Sequence, residues 1–217
     1  MVEIYKGELR DLLLAKNVKE KPKLELRMSQ EGHVHIKNVV MRDLENMDQT
    51  NEVFEKGLGG RQVRKTLMND ESSRSHLIFA IIIESTNKMN GKKQIGKLSF
   101  IDLAGSERAA KTGNRGLRMI EGANINKSLL ALGNCINMLH ENNSKGQSNY
   151  IPFRDSKLTR LLKDSLGGNC RTVMIANIAP SSSNYEDTHN TLKYANRAKN
   201  IKTNVQRNVL NVEYHVS

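Results

Sequence analysis

The sequence predicts an α/β fold in which buried strands alternate with helices, and three observations carry that reading. Apolar runs at 77–83, 98–101 and 173–178 lack clean polar alternation, as strands covered on both faces do. Residues 123–141 place Ile125, Leu129, Leu132, Ile136 and Leu139 at steps of four, three, four and three, which is one apolar helix stripe. Helical patterns lie between and after the apolar runs, and strands alternating with helices imply an α/β sheet.

Each element follows from local chemistry. Segment 24–40 reads as a small hairpin around Gly32, and 48–66 as a helix with Gly59 and Gly60 as its weak point. On the long helix, Lys127, Asn134, Asn137 and Glu141 occupy the side opposite the apolar stripe, and 142–149 is a polar surface loop. A short helix should follow Asp155 as N-cap, bury Leu158, Leu161 and Leu162, and end at Gly167 and Gly168. A last helix begins after Pro180, where Ser183 and Glu186 have capping-box spacing and Leu192, Ala195 and Ala198 line one side.

With 217 residues and 37% hydrophobic content, the chain is one large domain or a piece of one, long enough to bury a sizeable core. No apolar run approaches the roughly 18 residues of a spanning helix, and no signal peptide opens the chain, so a membrane partner is not expected. Two cysteines, Cys135 and Cys170, exclude a disulfide scaffold and fit a reducing compartment. Cys135 on the long helix reads as core, and the nine methionines as core filling. The six histidines show no metal-binding spacing.

Charge is unevenly spread. Residues 1–107 carry 18 basic and 16 acidic side chains, net +2, whereas residues 108–217 carry 16 and 7, net +9. An acidic partner is therefore expected to meet the back half, and nucleic acid and an acidic protein surface both fit.

Two stretches carry chemistry. In Leu98-Ser99-Phe100-Ile101-Asp102-Leu103-Ala104-Gly105-Ser106-Glu107, an apolar strand ends in an acid with a glycine three residues on. An acid so placed can orient Mg²⁺, and the glycine lets a backbone N–H approach a phosphate. The second, Asn69-Asp70-Glu71-Ser72-Ser73-Arg74-Ser75-His76, sets small hydroxyls and an arginine just before a strand. Either stretch alone reads better as an ordinary polar turn.

Together they resemble the switch II and switch I motifs of the kinesin motor domain. The resemblance continues, in family order, through Asn124-Ile125-Asn126-Lys127-Ser128-Leu129, Ala131-Leu132-Gly133-Asn134, Arg154-Asp155-Ser156-Lys157-Leu158-Thr159-Arg160 and Asn190-Thr191-Leu192-Lys193-Tyr194-Ala195. It implies a P-loop NTPase-type kinesin motor fold, with a central mixed sheet and helices on both faces. It further implies a microtubule-binding motor driven by ATP and Mg²⁺, located on the cytoplasmic microtubule cytoskeleton, including spindle or cilium. Residues 1–203 would be motor domain and 204–217 the neck linker and start of the neck. Leu210-Asn211-Val212-Glu213-Tyr214-His215 resembles the neck of the eighth kinesin class, which walks to plus ends and limits microtubule length. Dimerisation would involve regions outside this chain.

Residue by residue, the resemblance implies that Ser73 helps hold Mg²⁺, Ser72 positions the attacking water and Asp102 reaches Mg²⁺ through water. The Gly105 N–H would sense the γ-phosphate, Asn69 would lie at the nucleotide, and Arg74 with Glu107 would close the two switches. The tubulin-facing set would be Arg108, Lys111, Lys127, Lys145, Arg154, Lys157 and Arg160. Ala123 departs from the family pattern, standing where some kinesins place a lysine.

No Gly-x-x-x-x-Gly-Lys-Ser/Thr phosphate loop occurs in the sequence. Gly91-Lys92-Lys93-Gln94-Ile95-Gly96-Lys97 comes near, but Leu98 follows it where a hydroxyl is needed, and it leads into a strand. Val2-Glu3-Ile4-Tyr5 resembles the end of a middle strand of the motor domain. By the resemblance, the strand leading to the phosphate loop lies between those at 98–101 and 173–178, so these two would lose their shared neighbour and expose ladder groups. The fold is accordingly expected to be incomplete, the chain a piece of a motor, and the isolated chain a poor folder without hydrolysis. Two other readings are a microtubule-binding module without ATPase activity and a basic nucleic-acid-binding domain. The second is disfavoured by 4% aromatic content and the lack of a nucleic-acid motif, so no nucleic-acid partner is expected.

Overall fold

The computed structural model describes residues 1–61 except 16, 19 and 31, residues 75–106, and residues 117–210 except 207. Five strands form one sheet in the order β2-β1-β5-β6-β7, with β7 the short strand Val209–Leu210, and β3 pairs with β4 apart from it. Strand β1 (Val2–Tyr5) turns into β2 (Glu8–Asp11) through Lys6 and Gly7, both at positive φ, the backbone a two-residue hairpin requires. β5 (His76–Thr86) lies between β1 and β6 (Lys93–Asp102). Each is longer than its apolar run, and β6 contains the Gly96-Lys97 stretch of the rejected phosphate loop.

Alternation along β5 builds two cores, one per sheet face. Leu77 and Phe79 are buried with Met1, Leu12 and Leu13 beneath Val53, Phe54 and Leu58 of α1 (Met47–Gly60). Ile78, with its register partner Ile101, packs instead toward Ile4, Leu132, Ile136, Leu158 and Leu162. Helices thus cover both faces, as expected. The sheet differs from the mixed one expected, because every pairing among the described strands is antiparallel.

The main departure is the run at 173–178. It forms no strand, and Val173 and Ile175 are 87% and 82% exposed. β-branched residues hold a strand only where a ladder partner satisfies their backbone, and among the described residues none lies beside this run. Leu98 and Phe100 on β6 are correspondingly exposed.

Helix α1 is capped by Asn46, whose side chain accepts from the Gln49 N–H at 2.9 Å. It stops at Gly60, so the glycine pair marks its end; 62–66 lies outside the described residues. The hairpin of β3 (Glu25–Met28) and β4 (Val34–Lys37) forms as expected, with Gly32 at φ +86°. Lys163 anchors it by donating to the Gly32 carbonyl at 3.0 Å.

The long helix α2 (Leu117–Lys145) exceeds the expected span at both ends. The cap of α3 (Lys157–Leu161) is Ser156, one residue past the expected Asp155, because Thr159 completes a reciprocal capping box with it. Leu158 and Leu162 are buried, and Leu161 is half-buried. Helix α4 (Lys163–Gly167) ends at Gly168. Helix α5 (Tyr185–Ala198) lacks the expected Ser183–Glu186 box, since a 3-10 turn at Ser182–Asn184, capped by Ser181, precedes it. Leu192 is exposed, whereas Ala198 reaches the core. Met1 is buried, but Met28, Met41, Met47, Met89 and Met174 are exposed, so core filling describes few of the methionines. Among the described residues no helix is long and apolar enough to cross a membrane.

Candidate functional site

The described ends of the two chemical stretches meet because of strand register: Leu77 pairs with Asp102, so the start of β5, with Ser75 just before it, lies beside the end of β6. Arg61, the residue capping α1, inserts between them. Its guanidinium donates to the Asp102 carboxylate at 2.9 Å, to the Ser75 hydroxyl at 3.2 Å and to the Ser75 carbonyl at 3.0 Å.

His76 makes the second link. Its Nδ1 accepts from the Ala104 N–H at 3.0 Å, and its Nε2 lies 2.7 Å from the Ser128 hydroxyl on α2. Ser128 donates its own proton to the Ile125 carbonyl at 2.7 Å, so Nε2 carries the imidazole proton and donates to Ser128. Only 2% of His76 is exposed. Burial, reinforced by the Arg61 charge and opposed by Asp102, lowers its pKa to about 4, which keeps the ring neutral as this pattern requires.

Of the expected nucleotide-site residues, Asp102 and Gly105 fall in this junction, with Asp102 exposed and Gly105 half-buried. Asn69, Ser72, Ser73, Arg74 and Glu107 lie outside the described residues, as do Arg108 and Lys111 of the basic set. Lys127 is exposed on α2 and, with Lys157, borders a cleft of about 230 Å³ whose floor includes Ile4, His76 and Ser128. Lys157 is bonded to Glu8 at 3.0 Å, and Lys145 faces Glu141 at 3.9 Å. Arg154 is exposed in the turn before α3, and Arg160 is half-buried on it. Sequence reasoning missed Arg61 and Ser128, and gave His76 no role although it ends the Ser-Arg-Ser-His motif. Cys135 is fully buried, and burial followed by the nearby Asp155 raises its thiol to about 11, as an inert core residue should show. Among the described residues no group of three acidic, histidine or cysteine side chains could hold a metal alone.

The fold places an acid at the end of β6 and a glycine in the loop beyond it, in a sheet with helices on both faces. The family model for the kinesin motor domain matches residues 1–201. The chain is 50% identical over 228 residues to kinesin-like protein 6 of Schizosaccharomyces pombe, covering all of this chain and 29% of that protein. It is 50% identical over 218 residues to kinesin-like protein KIP3 of Saccharomyces cerevisiae, covering 99% of this chain and 27% of that one. A KIF14 motor dimer solved with AMP-PNP in complex with a microtubule superposes with a TM-score of 0.86 at 36% identity, over 95% of this chain and 58% of that one. The chain belongs to the kinesin motor-domain family, and its relatives include members of the eighth kinesin class. It spans about a quarter of the length of the curated relatives it matches.

Proposed function

We propose that these residues form the switch and track-binding part of an ATP-driven microtubule motor. The observation that carries this reading is the junction at β5 and β6, where Arg61 and His76 tie the Ser75 and Ala104 backbones to one another's strand ends. A loop held this way can report a small displacement at Gly105. The solved relative bound to AMP-PNP and a microtubule supports the same reading. The basic back half then meets acidic tubulin, and the nucleic-acid alternative has no remaining support.

The residues present fit Mg²⁺–ATP in part. Asp102 offers an exposed carboxylate at the strand end, suited to holding a metal-bound water, and the Gly105 N–H is suited to a terminal phosphate. Ser73 would add a hydroxyl ligand, Ser72 would orient the water, Asn69 would lie at the nucleotide and Arg74 with Glu107 would close the site. A bound Mg²⁺ would neutralise developing phosphate charge. The Gly-x-x-x-x-Gly-Lys-Ser/Thr cradle is not within the 217 residues. Residues 204–217 are proposed as the neck linker and start of the neck, and dimerisation as a property of segments beyond them. The location proposed is the cytoplasmic microtubule cytoskeleton, with spindle or cilium decided by imaging the tagged protein.

The test is ATP turnover of the full-length protein with and without microtubules. Microtubule-stimulated turnover that is lost in Asp102→Asn is expected. Microtubule binding without turnover would favour the passive binding module instead.

A further inference from the structure

We propose that His76 is a positioning residue that couples the Gly105 loop to helix α2 through a single hydrogen-bonded chain, Ala104 N–H to His76 to Ser128. The coupling rests on the motor reading above, since its two ends are the loop assigned to the phosphate and the helix assigned to the track.

Three features support it. First, the chain is continuous and uses both ring nitrogens, each with one partner within 3.0 Å. Ser128 then closes onto the Ile125 carbonyl, so all three groups have fixed donor and acceptor roles. Second, the two ends are adjacent to residues with assigned work. Ala104 precedes Gly105, and Ser128 follows Lys127, which is exposed on α2. Third, the ring is rigid and buried, and Ala104 is itself buried, so water does not substitute readily at the Ala104–His76 link, whereas the Ser128 end borders the cleft. A shift of the Ala104 N–H therefore either carries the imidazole against Ser128 or breaks a buried bond. The first outcome alters how α2 sits on the sheet, and that gives the coupling between the two ends its physical basis. The neutral ring is part of the device, because an imidazolium could not accept from Ala104.

The experiment is a double-mutant cycle in the full-length protein, read by amide hydrogen exchange at Ala104. Ser128→Ala, a mild change on α2, should lower Ala104 protection by about threefold to tenfold, the size of one buried hydrogen bond. His76→Asn places an amide oxygen near the position of Nδ1 and so retains an acceptor for Ala104, but it cannot reach Ser128. In that background Ser128→Ala should leave Ala104 unaffected. The ratio of microtubule-stimulated to basal turnover should fall in both single variants. Unchanged Ala104 protection in Ser128→Ala, an equal effect in the His76→Asn background, or an unchanged turnover ratio would each overturn the proposal. Absence of stimulated turnover in the wild-type protein would instead overturn the motor reading, and the exchange cycle would still decide the coupling.

Discussion

The Arg61 guanidinium meets the Asp102 carboxylate at 2.9 Å while the two side chains differ sharply in burial, 9% exposed for the arginine against 62% for the acid. The arginine is therefore the structural member of the pair. It is held by Ser75 through two further bonds, and Asp102 keeps a free side toward water. Arg61→Ala removes bonds to a buried serine and should cost about 1–3 kcal/mol of stability. Asp102→Asn keeps the shape and loses a mostly exposed ion pair, so about 1 kcal/mol or less is expected. Urea midpoints of the two variants check this. Equal losses would mean that the ion pair, and not the Ser75 contacts, holds the junction.

His76 makes stability depend on pH. Its folded pKa of about 4 lies below the ordinary histidine value of 6.5, so the unfolded chain takes up a proton that the folded one refuses. The stabilisation is full above pH 6.5 and is lost as pH falls toward 4, on the order of 3 kcal/mol in total. Among the described residues, the charged groups near the ring are Arg61 at the end of α1 and Asp102 at the end of β6, with Lys6, Lys127, Asp155 and Lys157 bordering the same cleft. His76→Gln should flatten the dependence of the unfolding midpoint on pH between 4 and 6.5. A wild-type slope retained in that variant would assign the effect to another group.

Much of this was legible in the sequence, and the failures have physical causes. The apolar stripe from Ile125 to Leu139 marks α2, and the hairpin around Gly32 is written in its glycine and flanking alternation. The register joining Leu77 to Asp102 was not legible, because shifting a strand by two residues leaves the same side chains on the same face. Arg61 was missed for a related reason, since it acts 41 residues away on Asp102. Asp155 and Ser156 are both good N-caps, and the hydroxyl of Thr159 selects Ser156. The strand expected at 173–178 fails because propensity cannot replace a ladder partner. Asp102 and Gly105 lie at the β5–β6 junction, while Ser72, Ser73 and Arg74 lie outside the described residues, and the roles of all five remain proposals.

Gly133 on α2 allows α5 to approach. A Cβ at this position would lie 2.8 Å from a Tyr194 ring carbon and 3.0 Å from its hydroxyl. Gly133→Ala should therefore destabilise by roughly 1–3 kcal/mol, although glycine-to-alanine in a helix otherwise gains up to about 1 kcal/mol. Tyr194→Ala should remove the penalty, so the two changes together should cost less than their sum. Thermal unfolding of the four proteins measures that coupling. A stabilised Gly133→Ala single variant would show that the helices can part without cost.

The charge proposed to face the track is more finely arranged than its net value suggests. Lys157 opens α3 with its ammonium on Glu8, and Lys145 faces Glu141, so two of the expected cations already have acidic neighbours. Arg154 is exposed in the preceding turn, and Arg160 lies three residues past Lys157 on the same helix, while Leu158 and Leu162 turn inward. Replacing Lys157 and Arg160 with Glu reverses two charges and also sets a carboxylate against Glu8. Attraction to acidic tubulin is long-ranged only at low salt, because the Debye length is about 8 Å at physiological ionic strength. The double reversal in the full-length protein should therefore weaken microtubule cosedimentation by about tenfold or more at low salt and by much less at high salt. Glu8→Gln provides the opposite control: it releases Lys157 from its partner and should strengthen binding under the same low-salt conditions. Unchanged cosedimentation in the double reversal at low salt would remove α3 from the interface, and the +9 carried by residues 108–217 would then require a different partner.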